Sequence, residues 1–193
     1  MAEAPLGFPP DWLADRASPA SDVELALLLV NSHDLLEEQP DRLVDLGWLT
    51  RIFTAVGHGD LAAELEDADL PGLRELRDAL RRVFESDDAG EVAALLNPLL
   101  ERARAVLLLV DAPDGLALQV GVGLRGLAAL EARLPTALAA YVADRGAPRL
   151  GVCNSDPCRC VFVDRTRAGT RKYCCTYCND RHAARAYRRR KRS

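Results

Sequence analysis

Residues 153–178 read CNSDPCRCVFVDRTRAGTRKYCCTYC, and what their cysteines hold decides what this end of the chain folds around. All six cysteines of the protein lie here: Cys153, Cys158, Cys160, Cys174, Cys175 and Cys178. Disulfides would need an oxidising compartment. The N-terminal stretch MAEAPLGFPPDWLADRASPASD has no basic segment leading into an apolar one, so no secretory signal is read and the expected location is the cytoplasm. Cys175-x-x-Cys178 has the spacing of a redox dithiol, but no thioredoxin-like strand and helix surround it. Zinc fits better, because a tetrahedral Zn²⁺ takes four soft ligands as two close pairs separated by a loop. CNSDPC supplies the first pair, Cys153 and Cys158, around a knuckle of turn-forming residues. The second pair ends at Cys178 and begins at Cys174 or Cys175; spacing alone favours Cys175, since C-x₂-C is the commoner knuckle. The loop between the pairs offers two short strands, CVFVD and RKYC, joined by RTRAGT. A segment this small, with few large apolar residues, needs such a staple to fold. Cys160 reads as a small buried thiol.

Immediately outward from Cys178 the chain turns basic. NDRHAARAYRRRKR has no Gly or Pro and continues as a helix. Arg181, Arg185, Arg188 and Arg192 then share one stripe, widened by Arg189, Arg190 and Lys191. Arg165, Arg167, Arg171 and Lys172 add charge from the loop. His182 reads as a surface residue of that helix. From residue 153 onward there are 12 basic and 3 acidic residues, against 13 basic and 26 acidic before it, although the whole chain carries only −4. An acidic body therefore precedes a basic, cysteine-rich module, with APRL as the linker between them. Such a basic surface suits nucleic-acid phosphates, and the acidic body is placed to fold back and mask it.

The body reads as mainly helical. SDVELALLLVNSHDLLEE opens on Ser21 as an N-cap. DRLVDLGWLTRIFTAVGHG opens on Asp41 and ends at Gly57, and LPGLRELRDALRRVFESDD sets Leu73, Leu76, Leu80, Val83 and Phe84 on one face. A fourth helix covers about residues 89–103. RAVLLLVDAPDGLALQVGVG breaks the helical period: two apolar runs flank a Pro and an Asp-Gly, which predicts a hairpin over about residues 104–121. LRGLAALEARLPTALAAYVADRG returns to helix, with Pro135 as a potential kink. The four prolines among residues 1–20 suggest a loosely ordered lead, with Trp12 and Leu13 docking on the body. His33 with Asp34, and His58 between two glycines, read as structural rather than catalytic. There is no phosphate loop and no nucleophile elbow, so no enzyme is expected. No run of about 18 apolar residues predicts a membrane span.

The stretch RLGVCNSDPCRCVFVDRTRAGTRKYCCTYCNDRHAARAYRRRKR resembles the CGNR zinc finger of bacterial proteins. These carry an N-terminal ABATE domain and are described as stress-induced transcription regulators. The resemblance extends over nearly the whole chain. It includes LLLVNSHDLL, LRELRDALRRVF and the DGLAL hairpin in the body, and it is more specific in the finger. There the family shows an aspartate after an apolar strand, Ser/Arg-type residues, then a basic–basic–aromatic–Cys run. Asp164, Thr166, Arg167 and Arg171-Lys172-Tyr173-Cys174 match. The resemblance implies Cys174 as third ligand. The implied set is Cys153, Cys158, Cys174 and Cys178 around one Zn²⁺ per chain, with Cys175 the alternative to Cys174. Where the family reads Cys-Gly-Asn-Arg, this chain reads Cys178-Asn179-Asp180-Arg181, so Asp180 adds a negative charge beside the expected nucleic-acid face.

The expected architecture is a mainly α body with a small β-hairpin (α+β), over residues 21–147. A small treble-cysteine-type zinc module with a basic helix follows, over residues 150–193. The expected function is zinc-dependent DNA binding in transcriptional regulation, on the nucleoid when bound. The body would sense a small molecule or stress signal, or form a homodimer. The alternative is a zinc-stapled module for RNA or an acidic protein partner.

Overall fold

In a computed structural model that describes residues 19–104, 106–112 and 115–192, the chain is a mainly helical body with two small hairpins and a C-terminal cysteine cluster. The expected lead at residues 1–18, including Trp12 and Leu13, lies outside the described residues, as do Pro113 and Asp114 of the expected Asp-Gly turn. The elements are α1 (Asp22–Val30), α2 (Gly47–Ala55), α3 (Gly59–Ala63), α4 (Leu70–Glu85), α5 (Ala89–Ala103), β1 (Leu107–Ala112), β2 (Gly115–Val120), α6 (Gly126–Arg145), β3 (Leu150–Val152), β4 (Val161–Val163) and α7 (Thr176–Arg192).

α1 is the axis of the body. Ser21 and Glu24 form a reciprocal capping box at its start, and every residue from Leu25 to Val30 is buried. A helix apolar on all sides has to be surrounded, and α1 packs against α2, α4, α6 and β4. The amphipathic face of α4 meets it through Leu73, Leu76, Leu80 and Val83, all fully buried. α5 and α6 pack together over the far side, and both helices run through their internal prolines, Pro98 and Pro135. Gly126 starts α6 at φ +52°, where a Cβ would come within 2.7 Å of the Glu64 carbonyl oxygen; glycine alone fits this backbone approach.

Two helix boundaries differ from the sequence reading. The first helix stops at Val30 instead of continuing through LLEE. Short polar side chains capture the backbone there: the Ser32 hydroxyl donates to the Leu29 carbonyl at 2.7 Å, and Asp34 Oδ1 accepts from the Leu36 amide at 3.0 Å. Asp41 does not cap α2, which starts at Gly47. Its carboxylate instead accepts the Leu43 amide and grips the buried Arg77 of α4 at 2.6 Å and 3.2 Å. That pairing holds the Asp41 carboxyl below its ordinary pKa against the opposing effect of burial. His33 pairs with Asp41 as an isolated bridge, and a ring nitrogen of His58 lies 2.7 Å from the Ala20 carbonyl oxygen.

The hydrophobic core does not stop at residue 149. Leu150, Val161 and Val163 are buried in the same cluster as the α1 and α4 leucines. β3 and β4 pair antiparallel, Leu150 with Val163 and Val152 with Val161, and the hairpin packs on α4 and α1. The strand expected at RKYC does not form: residues 171–174 are irregular, and β4 pairs with LGV, before the first cysteine. Gly151 permits this pairing, because a Cβ there would sit 2.7 Å from the Phe162 ring.

Candidate metal centre and nucleic-acid interface

β3 delivers Cys153 to the end of the hairpin, where its amide donates to the Cys160 carbonyl at 2.9 Å. The knuckle that follows closes with the Cys158 amide on the Ser155 carbonyl at 2.8 Å, and its Asp156–Pro157 peptide is cis. The second knuckle leads into α7, so that Cys178 sits in the helix's first turn. Folding brings the Sγ atoms of Cys153, Cys158, Cys174 and Cys178 within 4.8 Å of one another. The Cys174 sulfur is 3.8 Å from that of Cys158 and 3.7 Å from that of Cys178. Four sulfurs about 2.3 Å from a central Zn²⁺ stand about 3.8 Å apart at the corners of a tetrahedron. Donor type, number and spacing therefore all fit zinc. Cys175 lies outside this group, although its sulfur is 3.8 Å from that of Cys174. Cys160 is buried beside Cys158 and Asp34, and its amide points at the Cys158 sulfur at 3.5 Å. Leu36, from the loop after α1, packs on the cysteines from the body side.

Asp164 organises the loop between the knuckles. It is buried at the end of β4 and accepts the Thr166 hydroxyl at 2.6 Å, the Thr166 amide at 2.8 Å and the Arg171 amide at 2.8 Å. One carboxylate thus fixes both ends of RTRAGTR. Burial alone would raise its pKa, but these donors outweigh burial and hold it below the usual carboxylate value. A depressed folded-state pKa gives stability that is present above the unfolded value, about 3.9, and is lost as pH falls through the folded value. Asp164→Asn is expected to lower stability at pH 7 by about 2 kcal/mol. The gap from wild type should close as denaturation is repeated below pH 4. A gap independent of pH would contradict this account.

The basic residues divide by what they touch. Arg165 pairs with Glu24 of α1 at 3.1 Å, and Arg159 with Glu85 of α4 at 3.8 Å, so acids of the body already engage the module. Arg171 lies over the Phe162 ring and donates to the Tyr173 and Cys174 carbonyls, closing the second knuckle. Arg181 donates to the Ser155 hydroxyl and carbonyl, locking α7 to the first knuckle. Arg185 bonds the Asp156 carbonyl in the same way. Arg167, Lys172 and Arg188 are exposed and form no ion pair among the described residues. Arg188, Arg189, Arg185 and His182 line a cleft against Asn154, Ser155 and Asp156 of the first knuckle. The His182 ring also packs on Tyr173, with centroids 5.2 Å apart. Asn179 and Asp180 are exposed on the first turns of α7. The Arg188 end of α7 is placed beyond them. Arg192 closes the helix, with its side chain outside the described residues.

Sequence reasoning missed Asn31. Its side chain, buried at the end of α1, accepts the Val161 amide at 2.7 Å and donates to the Val161 carbonyl at 3.0 Å. It thereby acts as a one-residue strand beside β4. Arg81 of α4 adds a bond to the Arg159 carbonyl at 2.9 Å. The one signal available was the polar break in LLLVNSHD after six apolar residues.

Two family models match this architecture. Residues 24–149 match the ABATE family, described as "Putative stress-induced transcription regulator", and residues 149–191 match the CGNR zinc finger. No curated protein matches the chain. The matched family is one of regulators and not of enzymes. Among the described residues no helix is long and apolar enough to cross a membrane.

Proposed function

Because the chain belongs to the ABATE family of stress-induced transcription regulators and carries a CGNR zinc finger, we propose that it is a zinc-dependent DNA-binding regulator. Cys153, Cys158, Cys174 and Cys178 would hold one Zn²⁺. The ion would supply cross-linking, not chemistry on a substrate. The observation that carries this reading is the junction at Cys178, where the four-sulfur group opens directly into the basic helix α7. Four thiolates around one Zn²⁺ leave a net charge of about −2. The positive end of α7 and the nearby Arg171 and Arg181 offset it. The metal would thus fix the angle at which the arginines leave the body.

Within the basic set, contacts sort into three roles. Arg171, Arg181 and Arg185 are positioning residues, since their donors are largely spent on the knuckles. Arg165 is tied to the body. Arg167, Lys172 and Arg188 are the residues we assign to phosphates on this ground, and Arg189 and Arg192 join them by their place on the basic helix in the sequence. The lines of the acidic body that already touch the module favour duplex binding that competes with those ion pairs. β3 and β4 complete the body's core, so binding is tested in the full chain and not in a fragment.

The test is fluorescence anisotropy of duplex DNA over a salt series, with sequences chosen by selection from a random pool. Arg188→Ala is expected to weaken binding and to reduce the slope of log K against log salt by about 0.9, one phosphate's share. Its zinc content should not change. Arg181→Ala is expected to lower zinc retention as well as binding, because it releases the first knuckle from α7. Duplex binding that is insensitive to salt, or unaltered by Arg188→Ala, would defeat the assignment. Preference for RNA or for an acidic protein over any selected duplex would favour the alternative reading.

A further inference from the structure

The β1–β2 hairpin is apolar where an isolated hairpin should be polar. In its register Leu107 faces Val120, Leu109 faces Leu118 and Asp111 faces Leu116. Partners across an antiparallel pair share a face, and faces alternate along a strand. Leu107, Leu109, Leu116 and Leu118 therefore lie on one face, and they are 54%, 61%, 72% and 67% exposed. The opposite face is apolar in part, with Val110 and Ala112 half-buried and Leu108 43% exposed, but Gln119 and Ala117 complete it, and β2 packs on α6. Val106, at the hairpin's base, is 60% exposed. A two-stranded hairpin is marginal by itself in water, and a contiguous exposed leucine face marks an interaction site.

We infer that this leucine face is the contact between two copies of the chain, packed face to face about a two-fold axis. Two observations choose a second copy as the occupant. The first is area: the four leucines with Asp111 and Val120 on the same face, from each of two copies, amount to on the order of 1,000 Å², the lower bound for a specific interface. The second is charge. The face carries one charged side chain, Asp111, toward the tip, whereas the exposed Arg104 stands at the base, just before Val106. A two-fold axis that runs the hairpins antiparallel sets each Asp111 toward the partner's Arg104. The same patch is then complementary to itself, as a two-fold contact requires. The inference does not depend on DNA binding.

Sedimentation velocity of the zinc-loaded full chain tests it. The wild type is expected at twice the chain mass. Leu118→Lys sets like charges against each other across the axis, and is expected to weaken the dimer at least a hundredfold. Leu118 is exposed, so zinc content and helical circular dichroism should stay at wild-type levels. Asp111→Arg should also weaken it, and Arg104→Asp added to that variant should restore it. A wild type that stays monomeric at about 100 µM, or a dimer that survives Leu118→Lys, would overturn the inference. A charge swap that does not restore the dimer would overturn the antiparallel arrangement.

Discussion

Cys178→Ser is expected to leave the chain with almost no bound zinc, where the wild type should carry about one ion, as measured by elemental analysis of purified protein. The same holds for Cys153→Ser. The effect is large because the two knuckles have little else to hold them. Around the cysteines, the partly buried hydrophobics among the described residues are Leu36, Tyr173 and the remaining cysteines. Structural zinc contributes about 10–16 kcal/mol to modules of this kind at pH 7, more than the whole stability of many domains. Without the ion, four thiols in contact have no partner that compensates for ordering the loop. Hydrogen exchange should then become fast through the two knuckles, residues 153–160 and 171–178, and the start of α7. α1, α4 and α6 should stay protected, since their leucines pack on one another. Cys174→Ser should behave like Cys178→Ser, whereas Cys175→Ser should keep its zinc. Retention by Cys174→Ser together with loss by Cys175→Ser would move the third ligand. Retention by Cys178→Ser would remove the zinc proposal altogether.

The sequence announced what was local. The N-cap at Ser21, the amphipathic face of α4 and a hairpin, expected over about residues 104–121 and found with strands Leu107–Ala112 and Gly115–Val120, follow from spacing that can be read within one segment. α5 covers Ala89–Ala103, as periodicity indicated. What escaped depends on partners far along the chain. The zinc-loop strand was expected at RKYC because those residues stand near the second knuckle. β4 chose Leu150–Val152 instead, since that pairing also buries Leu150 and Val163 against α4. Asp41 looked like a cap from its position before an apolar run. Only the fold places Arg77 within reach of it. The basic residues were legible as a charge but not as individuals. Nothing in RHAARAYR says that Arg181 faces Ser155 while Arg188 faces solvent. The charge split at residue 150 suggested two separable parts, yet apolar residues on both sides of it share one core. Charge segregates along a chain more freely than packing does.

Asn31 is where that shared core is most exposed to a single change. Asn31→Ala would leave the Val161 N–H and C=O without their partners inside the protein, at about 1–3 kcal/mol each. The expected loss, roughly 2–6 kcal/mol by urea denaturation, is a large part of an ordinary domain's stability. Lost packing could imitate some of this, so Asn31→Asp is the sharper variant. It keeps the shape and the acceptor for the Val161 amide. It removes the donor and aims a carboxylate at the Val161 carbonyl, in a site with little access to water. Burial and that repulsion would raise the new carboxyl's pKa. A raised carboxyl pKa means that the penalty is full at neutral pH and eases as acid protonates the group and restores a donor. Stability of this variant relative to wild type should therefore improve between pH 7 and pH 5, which neither Asn31→Ala nor Asn31→Leu would do. Zinc content should hold in all three, because the sulfurs do not touch Asn31. Exchange of the β4 amides should accelerate, as the module loosens from α1 while its knuckles stay closed. If Asn31→Ala unfolds within about 0.5 kcal/mol of wild type, the Val161 bonds do not hold finger to body, and the leucine and valine contacts alone must do so.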